Sequence, residues 1–152
     1  IENNKGVIDK FIGDAIMAIF GAPLHLKDET DNHIDALMAV KSAVMMIKKC
    51  QDWNREREKQ GKNVINIGIG INTGEVVAGN MGSENRLNYT VLGDNVNLAS
   101  RLCDKADKMT ILISESTFEK VKDNIIAVKQ SPIKVKGKEE EIPVYSIIDI
   151  KE

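Results

Sequence analysis

Residues 9–21 read DKFIGDAIMAIFG: two apolar runs meet at a Gly-Asp pair, with a lysine and a carboxylate set into an otherwise water-averse segment. Residues 7–12 and 15–20 are rich in Val, Ile and Phe, the types that suit a pleated, half-buried surface. Gly13-Asp14 is a two-residue turn pair, in the reverse of the order commonest in type I′ turns. The stretch predicts a β-hairpin with Asp14 at its tip. Taken alone, a carboxylate at such a tip is a solvated turn residue, and its meaning depends on what the rest of the chain brings to it.

Downstream, Ile34, Leu37, Met38, Val40, Ala43, Val44 and Ile47 recur at helical spacing, capping candidates lie over 28–31, and Gly61 follows a charged last turn. A long amphipathic helix over 31–59 is expected, with Trp53, Met38, Met45 and Met46 as packing residues. Residues 64–71 and 75–78 form a second hairpin candidate around Thr73-Gly74, after which Gly79, Gly82, Ser83 and Asn85 mark a loop. A second helix is expected over 92–106, capped by Asp94, with Val96, Leu98, Ala99, Leu102 and Cys103 on one face. Then come a strand at 110–113, a brief helix over 114–121, and strands at 125–135 and 142–150 that pair across a loop at Gly137. Hairpins and two main helices, without regular βαβ alternation, predict an α+β sandwich with the helices on one sheet face.

The 152 residues are the size of one domain with a real core. A formal charge of −2 offers no basic excess to attract nucleic acid or an anionic membrane. Cys50 and Cys103 lack metal-ligand spacing and fall in expected helices, which fits reduced thiols in a cytoplasmic setting. No apolar run approaches the roughly 18 residues that a membrane span needs, so no direct membrane contact by this segment is expected.

Asn97 and Arg101 lie four apart, so both side chains leave one face of the second helix, and Thr90 precedes that helix. Arginine neutralises a phosphate through two parallel hydrogen bonds, and asparagine can hold a sugar or a reacting oxygen without adding charge. Lys136 and Lys138 flank Gly137, where backbone could approach a phosphate chain. The glycines at 68, 70 and 74 are mis-spaced for a dinucleotide fingerprint and lack a P-loop lysine; they let a strand pass close to a packed neighbour. His25 and His33 have no partner pattern and read as surface residues.

Together DKFIGDAIMAIFG, NTGEVVAGNMG, YTVLGDNVNLASRL and VKGK resemble, in order and spacing, the class III nucleotidyl cyclases, over residues from about 6 to 147. The resemblance implies a ferredoxin-like α+β fold with helices packed on a mostly antiparallel sheet. It also implies conversion of ATP to 3′,5′-cyclic AMP and pyrophosphate. By the same resemblance Asp14 is one of two carboxylates holding a pair of Mg²⁺ ions, with Mn²⁺ as a substitute. Lys10 and Thr90 read the purine, a pair that suits ATP. Asn97 orients the ribose, Arg101 stabilises the α-phosphate in the transition state, Lys136 contacts the terminal phosphates, and Arg86 is a further phosphate contact. In that family the metal carboxylates come from one subunit and the other residues from its mate, so a head-to-tail homodimer is expected, governed by an upstream regulatory domain in a parent chain able to carry a membrane anchor.

The family's second metal carboxylate has no counterpart here. It lies on an earlier strand that would precede Ile1, so the expectation is a cyclase domain without its first strand and following helices, in which a lone Asp14 does not support efficient catalysis. Two other possibilities stay open at this level: a guanylate cyclase, and an inactive cyclase-like module that dimerises or senses nucleotide.

Overall fold

The computed structural model describes residues 1–21, 29–83, 86–134 and 141–151. After a single 3₁₀ turn at Glu2–Asn4, strands β1 (Val7–Ile12) and β2 (Ala15–Ile19) form the expected antiparallel hairpin, paired from Val7↔Ile19 to Ile12↔Ala15. The expected long helix is α1 (Glu29–Lys59). Strands β3 (Ile69–Ile71), β4 (Val77–Ser83) and β5 (Arg86–Leu92) lead into α2 (Asp94–Lys105), β6 (Ile111–Ser114) and α3 (Glu115–Val121). The described chain closes with β7 (Ile125–Lys129), β8 (Ile133–Lys134), β9 (Glu141–Ile142) and β10 (Val144–Ile150).

The central sheet has the order β3-β6-β10-β7, with β3 parallel to β6 and the other two pairings antiparallel. β6, one of its two inner strands, is buried along its whole length. Successive side chains of a strand point to opposite faces. Ile111 and Ile113 accordingly join Val40, Ala43, Val44 and Ile47 of α1 and Val121 of α3, while Leu112 joins Leu98 and Leu102 of α2. Full burial of side chains such as Val40 and Ile113, both 0% exposed, stabilises the fold by about 1.5–3 kcal/mol each.

The helices thus cover both faces of the sheet, not one, because β6 carries apolar residues on both sides and each set recruits its own helix. Nor does a hairpin form around Thr73-Gly74. β3 pairs in parallel with β6, Ile69↔Ile111 to Ile71↔Ile113, while Val77 and Ala78 of the expected second arm pair with Leu92 and Val91 of β5. The expected loop at 79–85 is largely strand: β4 and β5 pair in register from Val77↔Leu92 to Ser83↔Arg86, so pairing outweighs the glycines there.

The pairing of the last two predicted strands is found in pieces, β7 with β10 and β8 with β9, while the Gly137 loop lies outside the described residues. Asp94 is the first residue of α2 and not its cap; Gly93 takes the N-cap position without a side-chain hydrogen bond. Trp53 and Met45, expected to pack, are 54% and 45% exposed, and Trp53 lies under the Arg57 guanidinium instead. His33 is exposed and His25 lies outside the described residues. Both cysteines are free thiols.

Candidate active site

Asp14 is exposed at the tip of the β1–β2 hairpin. Ile12↔Ala15 pairing runs up to the turn, and Gly13 adopts φ +62°, a left-handed conformation that side chains resist. The carboxylate therefore stands on a stiff support. Mg²⁺ keeps several waters and is held through one or two carboxylates plus substrate phosphates, not through an all-protein cage. Asp14 fits such a role as an open, hard oxygen donor. Among the described residues no group of three or more His, Cys, Asp or Glu forms a closed cage.

Lys10 and Thr90 come from strands far apart in sequence, yet both bond the same oxygen. Thr90 Oγ1 donates to Asp9 Oδ2 at 2.9 Å, and Lys10 Nζ lies 3.2 Å from that atom. Adjacent residues of a regular strand cannot do this, because their side chains leave opposite faces. The β1–β2 register slips between Ile8 and Lys10, and a bulge of this kind re-aims side chains. The Asp9 side chain is 1% exposed and that of Lys10 43%, so a buried anchor carries a reachable cation. Thr90 itself is 6% exposed, next to the buried Val91.

Asn97 is exposed and Arg101 half-buried on α2, one turn apart. The helix is fixed on its other face by Leu98 and Leu102 and by a close approach to β3. A Cβ on Gly70 would collide with the backbone of Cys103, Ala99 and Leu102, so the glycine permits the contact, as the sequence suggested. The first turn of α2 is tied down by Asn95, whose Nδ2 donates to Glu75 O at 2.8 Å, and by Asn72, whose Nδ2 donates to Asn95 O at 3.0 Å. Ser116 at the start of α3 donates to Thr73 O at 2.7 Å, with Asn72 Oδ1 3.2 Å away from the same hydroxyl. Residues 72–75 thus act as a clamp on the N-termini of two helices, which is what the supposed hairpin turn does.

Arg86 opens β5 opposite Ser83, and Lys136 lies outside the described residues. The sequence pattern does not single out Asp9, Asn72 or Asn95, whose side chains tie these elements together. A charged residue inside an apolar strand was the available signal for Asp9, but strict alternation would have aimed it away from Lys10. The structure brings Lys10 and Thr90 together within one chain. Among the described residues no hydrogen bond or ion pair joins Asp14 to Lys10, Thr90 or Asn97. The strands around these groups expose Phe11 (68%), Ile12 (59%), Val77 (67%) and Leu92 (52%). Among the described residues no helix is long and apolar enough to cross a membrane.

Residues 2–149 match the family model of the adenylate and guanylate cyclase catalytic domain. The chain is 39% identical over 155 residues to the terminal-differentiation-specific adenylate cyclase of Dictyostelium discoideum, covering 98% of this chain and spanning 7% of that protein's length. It is similar to the crystal structure of the adenylyl cyclase CyaB from P. aeruginosa, with TM-score 0.89, 35% identity, and coverage of 97% of this chain and 74% of that one. It is also similar to the guanylyl cyclase Cya2, with TM-score 0.87, 35% identity, and coverage of 99% and 74%.

Proposed function

The chain belongs to the family of adenylate and guanylate cyclase catalytic domains, and we propose from that premise that it forms 3′,5′-cyclic AMP and pyrophosphate from ATP within a head-to-tail homodimer. The observation that carries the choice of ATP is the meeting of Lys10 and Thr90 on Asp9. An ammonium donates to the N1 acceptor of adenine, whereas guanine presents an N–H at that position, and two donors facing each other cost the hydrogen bond and its desolvation.

In the reaction the ribose 3′-oxygen forms a bond to the α-phosphorus, the bond from that phosphorus to the bridging oxygen breaks, pyrophosphate departs, and the hydroxyl proton is released. Nucleophile and electrophile belong to one molecule, so the protein's work is orientation and charge stabilisation. Asn97 would hold the ribose, Arg101 the charge developing on the α-phosphate, and Lys136 and Arg86 the remaining phosphates. Asp14 would hold Mg²⁺ or Mn²⁺, which when bound supplies charge neutralisation to the phosphates and acidity to the hydroxyl. The apolar side chains that β1, β4 and β5 expose, Phe11, Ile12, Val77 and Leu92 among them, favour a site completed by a second copy.

The experiment is to incubate the intact protein with ATP or GTP and Mg²⁺ and to measure cyclic nucleotide and pyrophosphate. Cyclic AMP as the preferred product, abolished by EDTA, is expected. Preferred cyclic GMP would overturn the ATP assignment, and neither product would overturn catalysis.

A further inference from the structure

Asp9 Oδ2 accepts from the Thr90 hydroxyl at 2.9 Å and is 3.2 Å from Lys10 Nζ, and its side chain is 1% exposed. An ionised carboxylate only accepts, and a hydroxyl has one proton to give. The Thr90 proton is therefore committed to Asp9, and what its oxygen can offer a ligand is a lone pair. Lys10 Nζ has three protons and no lone pair, so after its contact with Asp9 it still offers donors. The two groups lie within two hydrogen-bond lengths of each other through a single oxygen.

We propose that Asp9 is the positioning residue that sets purine choice, by fixing Thr90 as an acceptor and Lys10 as a donor side by side. The edge of adenine carries the complementary pair, an amino donor at position 6 next to an acceptor at N1; guanine carries the inverse, a carbonyl next to an N–H. Threonine by itself is ambiguous, since a free hydroxyl rotates to donate or accept. The neighbouring carboxylate removes that ambiguity, and the bulge in β1 is what lets it reach both readers at once. This rests on the ATP assignment above and adds to it the residue that enforces it.

The test compares wild type with Asp9→Ala, Thr90→Val, Thr90→Ser and the Asp9→Ala/Thr90→Val pair in the intact protein, measuring kcat and KM with ATP and with GTP. Alanine removes the acceptor, which frees the Thr90 proton and releases Lys10. The ratio of kcat/KM for ATP over GTP is expected to fall on the order of tenfold in Asp9→Ala, the size of one hydrogen bond. The loss should fall mainly on KM, because the base is remote from the reacting atoms. Thr90→Ser should retain the wild-type ratio, and Asp9→Ala should cost less on top of Thr90→Val than it costs alone, the remainder acting through Lys10. A ratio unchanged in Asp9→Ala but lowered in Thr90→Val would overturn the inference while leaving the ATP assignment standing. A wild type that forms no cyclic AMP, or that prefers GTP, would overturn both. Should Asp9→Ala not fold, NMR of the wild type carries the test: a Thr90 hydroxyl proton protected from exchange supports the proposal, and one that exchanges freely overturns it.

Discussion

Replacing Gly70 by alanine adds one methyl group at the point where β3 meets α2. That methyl would lie 2.5 Å from Ala99 O and 2.7 Å from Leu102 C, and it would collide with the Cys103 amide, where ordinary contact begins near 3.4 Å. All three neighbours are backbone, so no side chain can rotate away. The helix must retreat by about an ångström, and overpacking of this kind costs about 1–3 kcal/mol, here at the upper end. Loss of glycine's freedom in the unfolded chain returns about 0.4–1 kcal/mol. The net loss is about 2 kcal/mol, which for a chain of this size lowers Tm by about 4–8 °C.

The same displacement moves Asn97 and Arg101, and an error of about 1 Å in such groups can cost about a hundredfold in rate. Thermal and urea unfolding, with initial rates on the same preparations, measure both effects. Gly79→Ala is the control: a Cβ there meets nothing within 4 Å, and its stability should stay within about 0.5 kcal/mol of wild type. A Gly70→Ala protein as stable and as active as Gly79→Ala would refute the packing account of how α2 is held.

Asp14→Ala removes an exposed side chain from a turn, so Tm should move by no more than about 1 °C while metal-dependent turnover falls at least about a hundredfold. An unchanged rate would remove Asp14 from the chemistry. Arg101→Lys keeps the charge but loses the planar two-point fork, and kcat should fall about a hundredfold with little change in KM; a raised KM with kcat unchanged would point to ground-state binding instead. The Lys48 ammonium, with the Ile150 N–H, holds the Asp149 carboxyl below the ordinary aspartate range, through contacts of 2.8 Å each. Because the folded-state value is depressed, the stabilisation it gives is present above the ordinary carboxylate range and is lost as pH falls through the folded value. Lys48→Met should raise the Asp149 midpoint in a carboxyl-carbon NMR titration, and an unmoved midpoint would assign the depression to the Ile150 N–H alone.

Sequence alone determined whatever depends on neighbours along the chain. The Gly13-Asp14 turn between two β-prone runs made a hairpin inevitable, and helical spacing from Ile34 to Ile47 made α1 so. The four-residue interval placed Asn97 and Arg101 on one face, and the glycine at position 70 announced a close approach before the partner was known. Tertiary structure decided whatever depends on residues distant in sequence. That Ile69–Ile71 paired with Ile111–Ile113, and that Val77 and Ala78 paired with β5 and not back onto β3, turned on strands distant from them in sequence, because backbone groups accept any complete ladder and local composition does not choose among ladders. The two faces of β6 sent its helices to opposite sides of the sheet. Asp9 could be joined to Lys10 and Thr90 only after the β1 register slipped by one residue, a shift that leaves no mark in the letters because it is set by how β1 lies on β2.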